Sequence, residues 1–235
     1  MRKRSANFFS LVLDVLFPGR CLLCGEWLLF DGKPGAQVCG SCIGKLTPLS
    51  GTRCRVCGIP LISERETCTR CRETDFAFER HLSVFSYAGR IKDLIGLYKF
   101  SGRIRLSSLF ASFLASMLEE QDLQGVGIVP VPPRPRRPKP DHVERIVRAL
   151  AADHGFHVIR ALERTTVISQ KSLSFKERRE NISNGMRLAK YCEVPDKAVL
   201  LDDVFTTGAT ADACARVLRG AGCASVSAVT LAIDM

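Results

Sequence analysis

The sequence predicts an α/β protein, a mainly parallel sheet flanked by helices, preceded by a small cysteine-rich module. Three observations predict it. Short apolar runs of strand character alternate with helical periodicities from His81 to the end of the chain, the pattern of a sheet covered on both faces. Eight of the eleven cysteines lie between residues 21 and 71, as C-x-x-C pairs. An apolar run, two carboxylates, a Thr/Gly turn and a helical pattern then follow one another in "AVLLDDVFTTGAT", residues 198–210.

Composition sets the frame for these elements. The chain has 235 residues, 46% hydrophobic and 25% charged, a balance that excludes extended disorder. A net charge of +10 favours anionic partners: nucleic acid, phosphorylated small molecules or acidic lipid. In the opening "MRKRSANFFSLVLDVLFPGR", Phe8, Leu11, Val12, Val15 and Leu16 form one helical stripe, which predicts an amphipathic helix over residues 1–20. Asp14 interrupts the run, Pro18 ends it, and no small-residue cleavage pattern follows. Neither a secretory signal nor a transmembrane segment is expected. That places the protein in the cytoplasm, with the inner face of the membrane as the alternative for the apolar stripe.

The knuckles "CLLC", "CGSC", "CRVC" and "CTRC" each present two thiolates at a tight turn, and two facing knuckles make a tetrahedral set of soft ligands for zinc. In chain order, Cys21, Cys24, Cys39 and Cys42 hold one ion, and Cys54, Cys57, Cys68 and Cys71 a second. An exchange of knuckles between the sites stays open. Disulfides are disfavoured without a secretory signal, and all-cysteine sites leave no position for water, so both ions are structural. Gly25 and Gly58 follow two knuckles, where the turning backbone calls for a positive φ. Cys192, Cys214 and Cys223 lack such spacing and read as small buried residues.

Beyond residue 75 the elements run in order. "HLSVFSYAG" is a strand, "RIKDLIGLYKFSG" and "SSLFASFLASMLEEQ" are helices, and "GVGIVPVPP" is a buried strand closed by prolines. "HVERIVRALAADHG" is an amphipathic helix stopped by glycine, "KAVLLDDV" a strand, "GATADACARVLRGAG" a helix and "SVSAVTLAI" the last strand. The basic, proline-rich "PVPPRPRRPKP" follows a strand and precedes a helix, the position at which open α/β sheets bind ligands. Arg134, Arg136, Arg137 and Lys139 are therefore candidates to face a phosphate or nucleic acid, against the reading of a solvated charge run.

A strand, a Gly/Thr turn and a helix aim backbone N–H groups and a positive helix end at one point, which suits a phosphate monoester. Thr206, Thr207 and Thr210 add hydroxyls, and Asp202 and Asp203 sit one step earlier, where carboxylates accept hydrogen bonds from vicinal ribose hydroxyls. The combination describes a ribose 5-phosphate site. No Walker-type or G-x-G-x-x-G pattern competes with it.

"VLLDDVFTTGAT" resembles the phosphoribosyl pyrophosphate (PRPP) signature of type I phosphoribosyltransferases. The resemblance implies that Asp202 and Asp203 contact the ribose and that Thr206, Thr207, Gly208, Ala209 and Thr210 wrap the 5-phosphate. It also implies magnesium with PRPP, bound mostly through ligand oxygens. Over nearly its whole length, "CLLCG" with the later knuckles, "YAGRIKDLIGLYKFSG", "VPVPPRPRR", "QKSLSFKERRENI" and the PRPP loop come in the order of the ComF family of competence-associated, phosphoribosyltransferase-like proteins (ComFC- and GntX-like). That resemblance implies a double zinc ribbon over residues 21–75 and a type I phosphoribosyltransferase-like domain over 76–235. It further implies single-stranded DNA as a partner, beside a ComFA-type helicase, during DNA uptake in natural transformation.

The family's conserved elements match Lys99, Phe100 and Gly102, and Gln170, Leu173, Ser174, Glu177, Arg178 and Asn181. Lys99, Gln170, Arg178 and Arg179 are thus candidate pyrophosphate or DNA contacts, with a solvated basic face as the other reading of the two arginines. Where many members read R-G-F-N-Q, this chain reads "PKPDHVER", with Asp141 and His142 at the Asn-Gln positions. Whether the pocket binds only, or transfers the phosphoribosyl group to a base or amine, stays open at this stage. Stacking on aromatic residues is expected to be minor, since Phe and Tyr fall mostly at core periodicity.

Overall fold

The computed structural model describes residues 19–28, 36–62, 66–133, 141–165 and 185–235. The helix expected over residues 1–20 lies outside these ranges apart from Gly19 and Arg20, as do Arg134, Arg136, Arg137, Lys139, Gln170, Leu173, Ser174, Glu177, Arg178, Arg179 and Asn181.

Two short helices, α1 (Gly40–Gly44) and α2 (Thr69–Glu73), each start directly after a cysteine of the N-terminal module. Then come β1 (Arg80–Ser86), α3 (Gly89–Phe100), α4 (Leu106–Glu120), β2 (Gly127–Pro130) and α5 (His142–His154). The chain continues through β3 (Leu162–Arg164), β4 (Met186–Leu188), β5 (Lys197–Phe205), α6 (Ala209–Gly220) and β6 (Ser225–Ile233). The strand order is β1-β6-β5-β2, and all three pairings are parallel. An isolated parallel bridge, Ile128 to Val158, extends the β2 edge. β3 and β4 form a separate antiparallel pair that the sequence reading does not contain.

The sheet buries both faces, as its near-continuous apolar strands require. Along β5, Val199 and Leu201 join Ile128, Val229 and Leu231 in a core closed by α3, α4 and α5. Ala198 and Leu200 point the other way, into a second core with Val129, Ala228 and α6 residues Cys214, Ala215 and Leu218. The first core also takes in Cys21 and Cys42, and the second takes in Cys54 and Cys57. The two halves of the cysteine module therefore attach to opposite faces of one sheet. Gly155, at φ +76°, ends α5 in the left-handed conformation expected of its glycine stop.

The module is an internal repeat. Arg20 bridges Trp27 antiparallel, and Arg53 bridges Pro60 in the same way. Cys21 N donates to Glu26 O and Cys54 N to Ile59 O, both at 2.8 Å, and Gly25 and Gly58 close the knuckles with 2.9 Å bonds to Cys21 O and Cys54 O. Both glycines have the expected positive φ, +76° and +72°. At Gly58 a side chain is excluded by space as well, because a Cβ would stand 2.7 Å from the His81 carbonyl oxygen.

Candidate functional site: two cysteine centres and an acidic pocket

The cysteines assemble in chain order. Cys21, Cys24, Cys39 and Cys42 form one cluster and Cys54, Cys57, Cys68 and Cys71 the other, with the sulfurs of each within 4.8 Å of one another. Cys24 and Cys39 Sγ are 3.7 Å apart, and Cys57 and Cys68 Sγ 3.6 Å. A tetrahedron of Zn–S bonds near 2.3 Å has edges of about 3.8 Å, so each set fits one zinc ion and the exchanged pairing is excluded. Backbone N–H groups already face the sulfurs, from Leu23 and Cys39 to Cys21 and from Cys68 to Cys54, all at 3.4 Å. Burial works to raise the Cys21 and Cys54 thiols, but backbone bonds, from Cys39 foremost to the first and from Cys57 and Cys68 to the second, outweigh it and bring both down to about 6. Cys24, Cys39, Cys57 and Cys71 are raised beside them, so one thiolate forms first in each cluster and zinc must displace the remaining protons. Of the other cysteines, Cys214 and Cys223 are buried and Cys192 is half-buried.

The PRPP-like segment folds as a strand, a turn and a helix. β5 delivers Asp202 and Asp203 near its carboxyl end, Thr206 and Thr207 lie exposed in the turn, and α6 opens at Ala209 with Thr210 in its first turn. Gly208 stands at φ +80°, where a Cβ would meet the Phe205 ring at 2.8 Å and the Phe76 ring at 3.1 Å. Both the backbone and the space demand glycine here. Gly208→Ala is expected to cost roughly 1–3 kcal/mol, read as a lowered midpoint in chemical denaturation.

This turn opens into a cavity of about 350 Å³ bordered by Lys99, Val131, Asp141, His142, Arg164, Asp202, Asp203, Thr206, Thr210 and Asp234. The cavity lies where topology favours a ligand: the chain leaves β2 toward Val158 on one side and leaves the neighbouring β5 toward β6 on the other. Its charges are organised around Asp203. Lys99, at the end of α3, donates to one carboxylate oxygen at 2.8 Å, and His142, the first residue of α5, holds the other through Nε2. The His142 Nδ1 is 2.9 Å from Asp141 Oδ1, and the Tyr98 hydroxyl donates to the His142 carbonyl at 2.6 Å.

Burial by itself disfavours the imidazolium, yet hydrogen bonds to Asp141 and Asp203 and their charges raise His142 to about 9. Burial likewise works to raise Asp203, but the His142 bond and the Lys99 charge hold it below the usual carboxylate range. Asp202 goes the opposite way: burial and the neighbouring Asp203 charge push it up. The acidic pair is thus split into one firmly ionised carboxylate and one that holds its proton more tightly. Sequence reading finds Lys99, Asp202 and Asp203 as candidates, and the structure brings them together. It sees Asp141 and His142 only as a departure from a family motif; their place on Asp203 comes from the fold.

The second cysteine centre is joined to this pocket. The Cys57 carbonyl accepts from His81 Nδ1 at 2.8 Å, which leaves Nε2 to accept from the Thr230 hydroxyl at 2.8 Å. Burial lowers His81 to about 4, so the ring stays neutral and keeps this arrangement. It stacks on Phe205, centroids 3.8 Å apart, directly beneath Gly208. From α2, the Arg70 guanidinium donates to the Thr206 carbonyl at 3.5 Å. Ala77 N donates to Asp212 Oδ1 at 2.8 Å and Arg216 to the Asp75 carbonyl at 3.1 Å, tying the segment after the second centre to α6. The first centre touches other ground: Arg90 on α3 donates to Cys42 Sγ at 3.2 Å.

Comparison with known proteins agrees with this architecture. The double zinc ribbon domain model matches residues 12–72. The chain is 26% identical over 229 residues to competence protein ComFC of Streptococcus pneumoniae, covering 90% of this chain and 99% of the relative. It is 29% identical to competence protein ComFC of Bacillus subtilis, covering 90% and 93%. To DNA utilization protein YhgH of Escherichia coli it is 28% identical, covering 89% and 94%. Along nearly the full length of each relative, and with two four-cysteine centres ahead of a parallel α/β sheet, the chain is similar to the ComFC competence proteins and to YhgH.

Proposed function

We propose that the chain is a phosphoribosyltransferase-like protein that binds PRPP or a related phosphoribosyl ligand in the Asp202–Thr210 pocket and handles single-stranded DNA during DNA uptake. The observation that carries the pocket reading is the strand–turn–helix of residues 198–210 at the topological switch of the sheet, with the acidic pair on its strand. The turn and the positive end of α6 suit the 5-phosphate, and Asp202 and Asp203 suit the ribose hydroxyls. Magnesium bound with PRPP would sit mostly on ligand oxygens, within reach of a cavity that also carries Asp141 and Asp234. The DNA reading draws on the names of the relatives, "competence protein" and "DNA utilization protein", and on the net charge of +10. A ComFA-type helicase is the partner this role implies, and the cytoplasm is the compartment. No helix among the described residues is long and apolar enough to cross a membrane.

One observation favours transfer as well as binding. Lys99 and His142 set two positive charges beside the acidic pair, a field that would favour the charge of a departing pyrophosphate. Calorimetric titration with PRPP–magnesium and with ribose 5-phosphate tests the pocket: saturable binding is expected in the parent and its loss in Asp202→Ala/Asp203→Ala. Pyrophosphate release that depends on an added base or amine would establish transfer, and binding without release would leave the accessory role. Single-stranded DNA affinity should fall steeply with salt; absent or salt-independent binding would end the DNA reading.

A further inference from the structure

The rim of the pocket carries a feature that neither zinc nor a phosphoribosyl ligand uses. Helix α3 ends at Phe100, whose ring is 82% exposed. The residue before it, Lys99, sends its ammonium into the pocket to Asp203 at 2.8 Å. One peptide unit, about 3.8 Å between Cα atoms, therefore separates a cation inside the pocket from an aromatic ring open to solvent. Gly102, at φ +64°, turns the chain, and Arg103, Ile104 and Arg105 follow, all exposed.

Two properties set this turn apart. Its arginines have no ion-pair or hydrogen-bond partner among the described residues. Exposed arginines elsewhere are commonly tied to carboxylates, as Arg148 and Arg160 are to Glu144, Arg187 to Glu163 and Arg219 to Glu79. Its apolar side chains also come as a pair, Phe100 and, one turn of chain later, Ile104, which is 48% exposed. Large exposed apolar groups such as Ile62 and Tyr191 occur singly, and single ones are ordinary. An exposed ring flanked by uncommitted guanidinium groups is what an unpaired nucleobase and its phosphates require: a face to stack on and charges along the backbone. A double helix hides its base faces and gains only the charges.

We propose that Phe100, Arg103 and Arg105 form a stacking platform for single-stranded DNA at the rim of the phosphoribosyl pocket. An unpaired base lies on Phe100 and the adjoining phosphates meet Arg103 and Arg105. The inference rests on the DNA-binding reading and names the surface that serves it.

Anisotropy titrations of a labelled oligo-dT of about 20 nucleotides, and of a duplex of the same length, test it across a range of salt. Phe100→Ala should weaken oligo-dT binding by roughly tenfold, the effect of losing one base stack, with the salt slope and duplex affinity unchanged. Phe100→Trp should restore affinity. Arg103→Ala/Arg105→Ala should make the slope of log K against log salt shallower by about 1.4, two single-strand phosphate contacts. All three variants change exposed side chains, so zinc content and thermal melting should match the parent and report an intact fold. Oligo-dT affinity of Phe100→Ala within about twofold of a binding parent, or an equal loss on the duplex, overturns the platform. A parent that binds no single-stranded DNA overturns the DNA reading itself, and the platform with it.

Discussion

Cys57→Ser/Cys71→Ser is expected to weaken the proposed phosphoribosyl binding by roughly 100-fold or more, although neither residue borders the pocket. The loss follows from what the second cysteine centre supports. His81 bonds to the Cys57 carbonyl and stacks on Phe205, Phe205 and Phe76 close on Gly208, and Arg70 from α2 reaches Thr206. Structural zinc contributes on the order of 10 kcal/mol to the folding of a small site, far more than any one of these contacts. Without it the knuckles lose their reason to stay folded, and the floor and one wall of the phosphate turn go with them. A ligand must then order Thr206–Thr210 afresh at about 1–2 kcal/mol per residue, so its affinity should fall by roughly 100-fold or more.

The first centre supplies the control. Cys24→Ser/Cys42→Ser removes the other zinc ion, but that centre packs on the opposite face of the sheet, against α3 through Arg90. Elemental analysis should give about two zinc ions in the parent and about one in each double variant. Ribose 5-phosphate titration should show the large loss only for the second centre, and amide exchange over residues 205–212 should accelerate only there. Equal effects of the two double variants would show that the centres stabilise the fold in general and that the His81–Phe205 link carries nothing.

Why the sequence reveals one part of this design and hides another follows from the range of the signals. C-x-x-C pairs, the apolar run of β5 and the 3.6-residue rhythm of α5 are local patterns, and each is realised where the spacing puts it. The β3–β4 pair is beyond such reading: three residues on each strand are too few to set a period, and the strands pair across a long stretch of chain. Phe100 escapes the general core periodicity of the aromatic residues: at 100° per residue it lies on the face of α3 opposite the buried Ile91, Leu94, Ile95 and Tyr98, so the ring emerges into solvent. His81 sits in an alternating strand like any inward residue, and nothing near it in sequence announces the Cys57 carbonyl. The acidic pair is legible in the sequence as a candidate site, whereas the cations that hold Asp203 arrive from two helices distant in sequence.

Those cations give the molecule a pH signature that His142→Gln should erase. His142 has a folded-state value raised to about 9 against an ordinary 6.5, so its stabilising contribution is complete below about 6.5 and is lost as pH rises through about 9. The His142 side chain is only 14% exposed, so screening by solvent takes little from the contribution. At about 1.4 kcal/mol per pH unit, it amounts to roughly 3 kcal/mol. Asp203 acts at the other end: its value is lowered, so its contribution is present above the unfolded carboxylate range and is lost as pH falls. Thiols of the unfolded chain also titrate at alkaline pH, but they do so equally in the parent and in the variant. The difference between the two urea-unfolding curves therefore isolates the imidazolium. It should shrink by about 3 kcal/mol between pH 6.5 and 9.5, stay flat from about pH 6 to 5, and shrink again at lower pH, where Asp203 takes up its proton and the His142 bond that held it ionised no longer counts. A glutamine variant whose stability runs parallel to the parent over that window would mean that Lys99 alone neutralises Asp203 and that the imidazole holds it as a neutral donor.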